Sequence, residues 1–296
     1  MQKISAALAG TIKLADEYEI NRIGYGALRV TGPKLWDEPE DKEGALRTLR
    51  GVPNLGINFI DTADSYGPET SENMIREALY PYEGILVATK GGVVRPSPDG
   101  WEPVGRPEYL RQCVLMSLRR LGLKQLPLWQ LHRIDPKVPR EEQFQVIQDM
   151  QKEGLIKHVG LSNVSVEDIQ AAEKYFKVVS VQNLFNLVNR EAEDVLNYCE
   201  KKGIVFIPWC PLAAGDLCKS GSILDVAAKE LKCSPSDVCL AWLLQRSPVI
   251  LPIPGTSKLQ HLEENVAAAR IKLSPELFQK LDEAGKKTYE ASKASA

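Results

Sequence analysis

Residues 158–183, HVGLSNVSVEDIQAAEKYFKVVSVQN, hold a complete strand–helix–strand unit and decide the fold class. The apolar runs His158–Asn163 and Val178–Asn183 have the length of strands, and between them Ser165–Asp168 spells a capping box that opens a helix to about residue 175. Runs that stay apolar on both faces are typical of parallel strands covered by helices. The unit therefore predicts an α/β protein built on a parallel sheet.

The same alternation of strand and helix patterns repeats along the chain. Six further apolar runs are predicted strands: Arg22–Ala27, Ile57–Asp61, Ile85–Lys90, Leu128–His132, Ile204–Trp209 and Val249–Ile253. Eight strands, each followed by a helix, predict a single (β/α)8 TIM barrel domain over residues 1–296 rather than two doubly wound domains. Residues 1–21 would form a short N-terminal hairpin over the base of the barrel, and residues 286–296 a polar, mobile tail.

The charge balance and the cysteines limit the partners and the compartment. The 296 residues include 37 Lys and Arg against 39 Asp and Glu, a formal net charge of −2, which argues against nucleic acid or an anionic membrane as the main partner. No apolar run approaches the ~20 residues that span a bilayer. Six cysteines without a C-x-x-C pair indicate reduced thiols, and Ile4–Gly10 only loosely imitates an export signal. We therefore expect a cytoplasmic protein that acts on a small molecule.

Four chemically active residues stand at or just after the ends of neighbouring predicted strands, where barrels of this kind carry their catalytic groups. Asp61 ends the second strand and Tyr66 follows it, while Lys90 and His132 end the third and fourth. A nearby ammonium lowers the pKa of a tyrosine from its usual value near 10, and a buried lysine needs a carboxylate to stay charged. The set predicts a proton-transfer site in which His132 holds a substrate oxygen. Taken singly, each residue also has an ordinary structural interpretation.

Asp61, Tyr66 and Lys90 lie within longer strings that resemble the signature sequences of the aldo-keto reductases. The strings are GINFIDTADSYG at 56–67, TKG at 89–91, GLSN at 160–163, VQN at 181–183, PWCPL at 208–212 and IPGTSK at 253–258. The resemblance as a whole runs in the family's order from about Arg22 to Asp282, nearly the whole chain. The pattern looks closest to bacterial reductases of the pyridoxal-reductase-like branch.

The resemblance implies an NADPH-dependent reduction of an aldehyde or ketone to an alcohol. Hydride would leave the nicotinamide while Tyr66 protonates the developing alkoxide, tuned by Lys90 and Asp61, and His132 orients the carbonyl. By the same resemblance Ser162, Asn163 and Gln182 would hydrogen-bond the carboxamide, and Trp209 would stack on the nicotinamide where the family more often has Tyr. The remaining cofactor contacts that it implies are Pro211, Leu212, Gly255, Thr256, Ser257, Lys258, His261, Glu264 and Asn265.

The segment after the eighth predicted strand favours NADPH over NADH. Gly255–Lys258 leads into a predicted helix, and a helix N-terminus with an adjacent lysine is a ready phosphate site. Ser257 and Lys258 would therefore suit the 2′-phosphate of NADPH. His261 stands where many NADPH-preferring members of the family carry Arg, which predicts a weaker or pH-dependent phosphate clamp.

Loop residues around the same rim define the expected substrate pocket. Tyr25 and Leu28 leave the first strand, Trp36 lies in the next loop, and Trp101 lies in the long loop Gly91–Arg106, which its prolines mark as an exposed excursion. The sequence lacks a long closing tail, so we expect an open pocket with aromatic walls for small aldehydes, aromatic ones included. Packing of the two tryptophans against the barrel is an equal alternative.

Two other functions remain to be weighed against the reductase. A glycoside hydrolase needs two carboxylates around a sugar, but the fourth strand offers His132 and the seventh ends in Trp209-Cys210. A regulatory subunit that binds the cofactor with slow turnover stays open as the alternative. The three histidines lie far apart and none adjoins a cysteine, so no metal site is predicted. The barrel needs no partner subunit, and a monomer is expected.

Overall fold

A computed structural model describes residues 4–212 and 221–294, and within them the chain forms a curled parallel sheet surrounded by helices. The strands are β1 Thr11–Leu14, β2 Tyr18–Asn21, β3 Tyr25–Gly26, β4 Phe59–Asp61, β5 Leu86–Gly91, β6 Val93–Val94, β7 Glu102–Pro103, β8 Leu126–Leu131, β9 Ile156–Ser162, β10 Val178–Leu184 and β11 Val205–Trp209. The helices are α1 Lys42–Gly51, α2 Thr70–Leu79, α3 Pro107–Leu121, α4 Arg140–Lys152, α5 Val166–Ala172, α6 Glu193–Lys202, α7 Ile223–Leu231, α8 Pro235–Arg246, α9 Leu259–Ala267 and α10 Pro275–Ala294. Seven of the described strands pair in the order β11-β10-β9-β8-β5-β4-β3, all in parallel, so their carboxyl ends share one rim.

The barrel closes through residues 249–253, where the sequence predicts an eighth strand. On one side the Leu251 amide donates to the Phe206 carbonyl at 2.9 Å, and on the other the Gly24 amide donates to the Pro252 carbonyl at 3.0 Å. These residues do not form a regular strand, because a proline has no N–H with which to continue the ladder. The predicted (β/α)8 fold class is confirmed, with the eighth strand reduced to these closing bonds.

The predicted N-terminal hairpin is present over residues 11–21. Strands β1 and β2 pair antiparallel, and their Leu14 and Ile20 side chains are buried. Both pack with the side chains that fill the barrel interior, including Leu86 and Leu128 near the amino ends of their strands. The hairpin therefore plugs the base of the barrel and leaves the opposite rim for the site. Residues 1–3 lie outside the described part.

The observed ends of α5 and α10 can be compared with the ends that the sequence predicts. The Ser165–Asp168 capping box forms as predicted, although α5 ends at Ala172 rather than near residue 175. The expected mobile tail is wrong for residues 286–294, because α10 continues to Ala294. These residues are mostly good helix formers and extend a helix whose Leu281 is already buried against the core. Residues 295–296 lie outside the described part.

The described cysteines and helices can be compared with the expected reduced thiols and the expected absence of a membrane span. The described cysteines, Cys113, Cys199, Cys210, Cys233 and Cys239, are not joined in disulfides, and Cys218 falls in the stretch that the structure does not describe. Among the helices of residues 4–212 and 221–294, none is long and apolar enough to cross a membrane.

Candidate active site

A cavity of about 480 Å³ lies at the carboxyl ends of the barrel strands. Asp61, Tyr66 and His132 line it, and Lys90 lies beneath them with its side chain fully buried. The structure therefore brings the four predicted catalytic residues together, as expected from the shared rim of parallel strands.

Asp61 and Lys90 form a buried ion pair at the floor of this cavity. The Lys90 Nζ donates to Asp61 Oδ2 at 2.6 Å and to the Thr62 carbonyl at 2.9 Å. The side-chain amides of Gln130 and Gln182 donate to Asp61 Oδ1 at 3.0 and 2.8 Å. Burial lowers the pKa of the Lys90 ammonium, but Asp61 and Tyr66 outweigh burial and raise that pKa above its usual value. Lys90 is thus charged at neutral pH, as the sequence predicted.

Gln130 is a contact that the sequence analysis missed. It lies on β8 two positions before His132, so both side chains face the same side of the strand. Because alternate residues of a strand share a face, the assignment of His132 to the site could have pointed to Gln130 as well.

Tyr66 lies directly over the ion pair. The Lys90 Nζ is 4.8 Å from the centroid of the tyrosine ring. The expectation that Lys90 lowers the pKa of Tyr66 is wrong for the net shift: burial raises this pKa above 10 and outweighs the opposing effect of Lys90. Burial dominates because a phenolate loses its hydration in the barrel mouth. Tyr66 consequently carries its proton at neutral pH, as an acid must.

His132 adjoins Tyr66 and is neutral. Their ring centroids are 5.9 Å apart in an edge-to-face arrangement, and the Ser65 Oγ lies 3.3 Å from His132 Nδ1. Burial, with the positive charges of Lys90 and Arg133, holds the pKa of His132 well below 6.5. One ring nitrogen therefore keeps a proton to donate, and the imidazole adds no positive charge beside Lys90.

Several predicted cofactor contacts line the same cavity: Ser162, Asn163, Gln182, Trp209, Pro211, Leu212 and Gly255. Asn163 connects the ends of three strands, since its Nδ2 donates to the His132 carbonyl at 3.2 Å and its Oδ1 accepts from Trp209 Nε1 at 3.1 Å. Its left-handed backbone, with φ of 56°, suits an asparagine. Trp209 keeps part of its surface exposed toward the cavity that it lines.

The other predicted cofactor contacts do not line the cavity. Thr256, Ser257 and Lys258 lie on the segment that enters α9, and His261, Glu264 and Asn265 lie on α9 itself. Lys258 is the exposed residue that precedes the first turn of α9, and no described side chain caps this helix. The Thr256 Oγ1 accepts from the Lys258 amide at 3.0 Å and shapes the entry. Glu264 is already engaged by the Gln260 amide at 2.9 Å. The open start of α9 can receive a phosphate group.

Of the four predicted substrate residues, Leu28 and Trp101 line the cavity and two do not. Tyr25 is fully buried in the core and its hydroxyl donates to the Thr256 carbonyl at 2.5 Å. Tyr25 and Gly26 are neighbours on β3 and point to opposite faces, and it is Gly26 that lines the cavity. Trp36 lies away from the cavity and faces the guanidinium of Arg95 at 5.4 Å.

Trp101 forms a wall of the cavity next to Tyr66 and His132. Its ring meets those of Tyr66 and His132 edge-on, with centroids 6.3 and 6.2 Å away. The loop Gly91–Arg106 is not the exposed excursion that was expected, because β6 and β7 pair within it and Arg95 is buried. Cavity residues that the sequence analysis did not assign are Gly26, Arg29, Arg133, Cys210, Ile253 and Pro254.

A comparison with protein families decides the classification. A family model described as the aldo/keto reductase family matches residues 22–286. This chain belongs to that family. The match covers the region in which the signature strings lie, and it confirms the resemblance inferred from the sequence.

Comparison with individual proteins shows which members of the aldo/keto reductase family this chain is similar to. It is 65% identical over 283 residues to an uncharacterized oxidoreductase of Schizosaccharomyces pombe, covering 96% of this chain and 92% of that protein. It is 41% identical over 270 residues to pyridoxine 4-dehydrogenase of Escherichia coli, covering 89% and 94%, which is consistent with the predicted pyridoxal-reductase-like branch. A solved aldo-keto reductase of Klebsiella pneumoniae, in complex with NADPH, has the same fold with a TM-score of 0.78, 23% identity and coverage of 93% and 94%.

The other two histidines of this family member take no part in the cavity. The His158 Nε2 lies 2.9 Å from Glu17 Oε2 at the base of the barrel, and His261 is exposed on α9. Within the described ranges, no three His, Cys, Asp or Glu side chains gather as metal ligands would.

Asp64, two residues before Tyr66, is a buried carboxyl group that we expect to make the stability of the protein pH-dependent. Burial, with the nearby charge of Glu72, raises the pKa of Asp64 to about 7, and its Oδ1 has no hydrogen-bond partner among the described residues. The folded state thus keeps this proton up to about pH 7, whereas the unfolded chain releases it near pH 4. Stability falls as pH rises between these values, because the folded state then holds more protons than the unfolded state.

An asparagine at this position cannot release a proton, so Asp64→Asn should not lose stability as the wild type does when the pH rises. We therefore expect the unfolding free energy of the variant minus that of the wild type to increase by about 3 kcal/mol from pH 5 to pH 8. Urea unfolding followed by circular dichroism at the two pH values measures this difference. The exposed carboxylate of Asp16 provides the control, and Asp16→Asn should show no such change. A stability difference between Asp64→Asn and wild type that is independent of pH would contradict the assignment.

Proposed function

We propose that this protein reduces small aldehydes to alcohols with NADPH, using Tyr66 as the general acid. The observation that carries the proposal is the arrangement of one protonated tyrosine over a buried Lys90–Asp61 pair, beside the neutral His132, in one cavity. Such a set can donate a proton to a carbonyl oxygen and stabilise the anion that remains.

The residues around the cavity fit a reduced nicotinamide cofactor. Trp209 offers a partly exposed aromatic face, and Gln182, whose side-chain amide donates to Asp61, lines the same cavity. Arg29 packs beside Gly255 and adds a positive charge for phosphate groups. Together with Ser162, Asn163 and the open start of α9, these groups would hold NADPH, which supplies a hydride when bound. The 480 Å³ cavity is of ordinary size for a small-molecule site.

The protein's own residues account for the proton. Tyr66 gives its hydroxyl proton to the carbonyl oxygen as that oxygen becomes an alkoxide, so the O–H bond of the tyrosine breaks and that of the alcohol forms. Lys90 stabilises the phenolate that remains, and Asp61 keeps Lys90 charged. His132 donates an N–H to the same oxygen and fixes its position. The Coulombic help from Lys90 is strong here because the pair is buried away from water.

The cavity walls indicate the substrate class. Leu28 and Trp101 provide apolar surface next to Tyr66, which suits a flat carbonyl compound. The name of one relative, pyridoxine 4-dehydrogenase, contains an alcohol of a substituted pyridine. Pyridoxal is the corresponding aldehyde, so it should be among the first substrates tested. We further propose that the protein acts as a single-domain monomer, because its strands and helices together bury one large core, and that it lies in the cytoplasm, where thiols such as those of the described cysteines stay reduced.

The test is the loss of reduced-nicotinamide absorbance with purified protein, NADPH, and either 4-nitrobenzaldehyde or pyridoxal. Turnover of at least one aldehyde with NADPH supports the proposal. Bound NADPH without turnover of any aldehyde in a panel would overturn it and would favour the cofactor-binding regulatory subunit. Parallel assays with NADH measure the cofactor preference.

Lys258 is expected to set that preference. Replacing Lys258 with Ala removes the exposed ammonium beside the start of α9, and a charge-assisted hydrogen bond to the 2′-phosphate is lost. We expect the Michaelis constant for NADPH to rise about tenfold and that for NADH to change less than about twofold. Lys280→Ala, an exposed lysine on α10, is the control. Equal changes for both cofactors would remove Lys258 from the phosphate site.

A further inference from the structure

Arg95 is a buried arginine that lies behind the cavity wall and has no role in the proposed reaction. It directly follows β6 and Trp101 directly precedes β7, so the hairpin register sets the two residues opposite one another. Its guanidinium carbon lies 3.8 Å from the ring centroid of Trp101 and 5.4 Å from that of Trp36. The whole residue is 8% exposed.

The polar contacts of Arg95 connect three loops at the rim. Its Nη1 donates to the carbonyls of Leu35 and Ser65 at 3.1 and 3.3 Å. Its Nη2 donates to those of Pro98 and Lys34 at 2.6 and 3.4 Å. One side chain thus joins the loop after the first barrel strand, its own loop, and the residue just before the catalytic tyrosine.

This arrangement costs folding free energy. Among the described residues no carboxylate forms an ion pair with Arg95, since Asp99 pairs with Lys34 at 3.0 Å instead. The Arg95 Nε is buried without a hydrogen-bond partner in the described ranges, and burial lowers the pKa of the guanidinium. A buried cation held only by carbonyls and aromatic faces carries a desolvation cost that its hydrogen bonds offset only in part, which raises the question of what role this geometry serves.

The geometry acts on the reacting groups through Trp101. One face of the indole covers the Arg95 guanidinium, while the ring lies edge-on to Tyr66 and His132 and lines the cavity. A cation over a tryptophan face is bound more strongly when the contact is desolvated. The position of Trp101 fixes the space left above Tyr66 and His132 for a substrate.

We propose that Arg95 is a positioning residue that holds Trp101 against Tyr66 and His132 and thereby makes the enzyme select flat aromatic aldehydes over small aliphatic ones. The inference rests on the proposed reductase function and names the part of the chain that sets its substrate class. Arg95 itself does not line the cavity, and the contact through which it would set the selectivity is the one with Trp101.

Substrate selectivity measures this role. Replacing Arg95 with Met removes the charge and the fork of donors, and we expect the ratio of kcat/KM for 4-nitrobenzaldehyde to that for propanal to fall about tenfold, as loss of a desolvated cation–π contact implies. The change should appear in KM for the aromatic aldehyde, with the NADPH dissociation constant within about twofold of wild type. Arg111→Met, which removes a surface arginine paired with Glu153, is the matched control and should leave the ratio unchanged.

A double-mutant comparison separates positioning from a general structural role. Trp101→Leu alone should lower the same ratio, and adding Arg95→Met to Trp101→Leu should lower it no further. Full additivity of the two effects would overturn the proposal. Should Arg95→Met not fold, Arg95→Lys keeps a cation without the planar fork and should lower the ratio in the same direction. An unchanged ratio in the Arg95 variants that fold would overturn it as well.

A second readout does not depend on turnover. Loosening Trp101 should raise its exposure to acrylamide, so the tryptophan fluorescence of Arg95→Met should be quenched more strongly than that of wild type, and this increase should vanish in the Trp101→Leu background. If the wild type reduces neither aldehyde, the proposed function fails, and the quenching comparison alone decides on Arg95. Identical quenching in wild type and Arg95→Met would then overturn the inference.

Discussion

Replacing Tyr66 with Phe is expected to lower kcat for aldehyde reduction about a thousandfold, within the range that a positioned general acid contributes. The change removes one hydroxyl from a ring that is buried and fixed by contacts with Trp101 and His132, so the cavity keeps its shape. Water cannot replace the proton donor efficiently, because the residue is only 7% exposed. The loss should therefore appear in kcat, while the dissociation constant for NADPH stays within about twofold of wild type.

The control for this variant is Tyr80→Phe, since Tyr80 lies at the end of α2 and is 56% exposed. Single-turnover mixing of NADPH-loaded enzyme with 4-nitrobenzaldehyde isolates the chemical step from cofactor release. A single-turnover rate constant of Tyr66→Phe within tenfold of the wild-type value would contradict the assignment of Tyr66 as the acid.

Replacing Lys90 with Met is expected to cost about 3 kcal/mol of unfolding free energy as well as most of the activity. The substitution leaves the Asp61 carboxylate buried without its ammonium, and breaking a buried ion pair by removing one partner costs roughly 3–5 kcal/mol. The lower end of that range is expected here because Gln130 and Gln182 still donate to Asp61. Activity falls because nothing then stabilises the phenolate of Tyr66.

The double variant Lys90→Met/Asp61→Asn should recover part of the lost stability and none of the activity, because it removes the isolated charge without restoring the relay. Lys42→Met breaks solvent-accessible ion pairs with Glu38 and Glu77 at the start of α1 and should leave stability nearly unchanged. Urea unfolding of the four proteins at one pH gives the comparison. If the single variant were as stable as the wild type, or the double variant no more stable than the single one, the buried pair would not be the source of the effect.

The fold was readable from the sequence because its signals are local. Continuous apolar runs such as Val178–Asn183, separated by helices with caps such as Ser165–Asp168, define the strand–helix repeat without any knowledge of distant contacts. Residues 249–253 close the barrel at the predicted place without forming a regular strand, since their apolar pattern is that of a strand but their proline interrupts the ladder.

The sequence by itself determined the barrel and which residues stand at its rim. Once the strands are parallel, the residues that end them must meet at one edge, so Asp61, Lys90 and His132 are brought together by topology alone. The tertiary structure decided everything that depends on which face a side chain takes and on how deeply it is buried. Tyr25 could not be excluded from the pocket because a continuously apolar run does not reveal its inner face. The pKa of Tyr66 rises because burial outweighs an adjacent charge, and the Arg95–Trp101 contact arises only when three loops meet, so neither is written in any local stretch of residues.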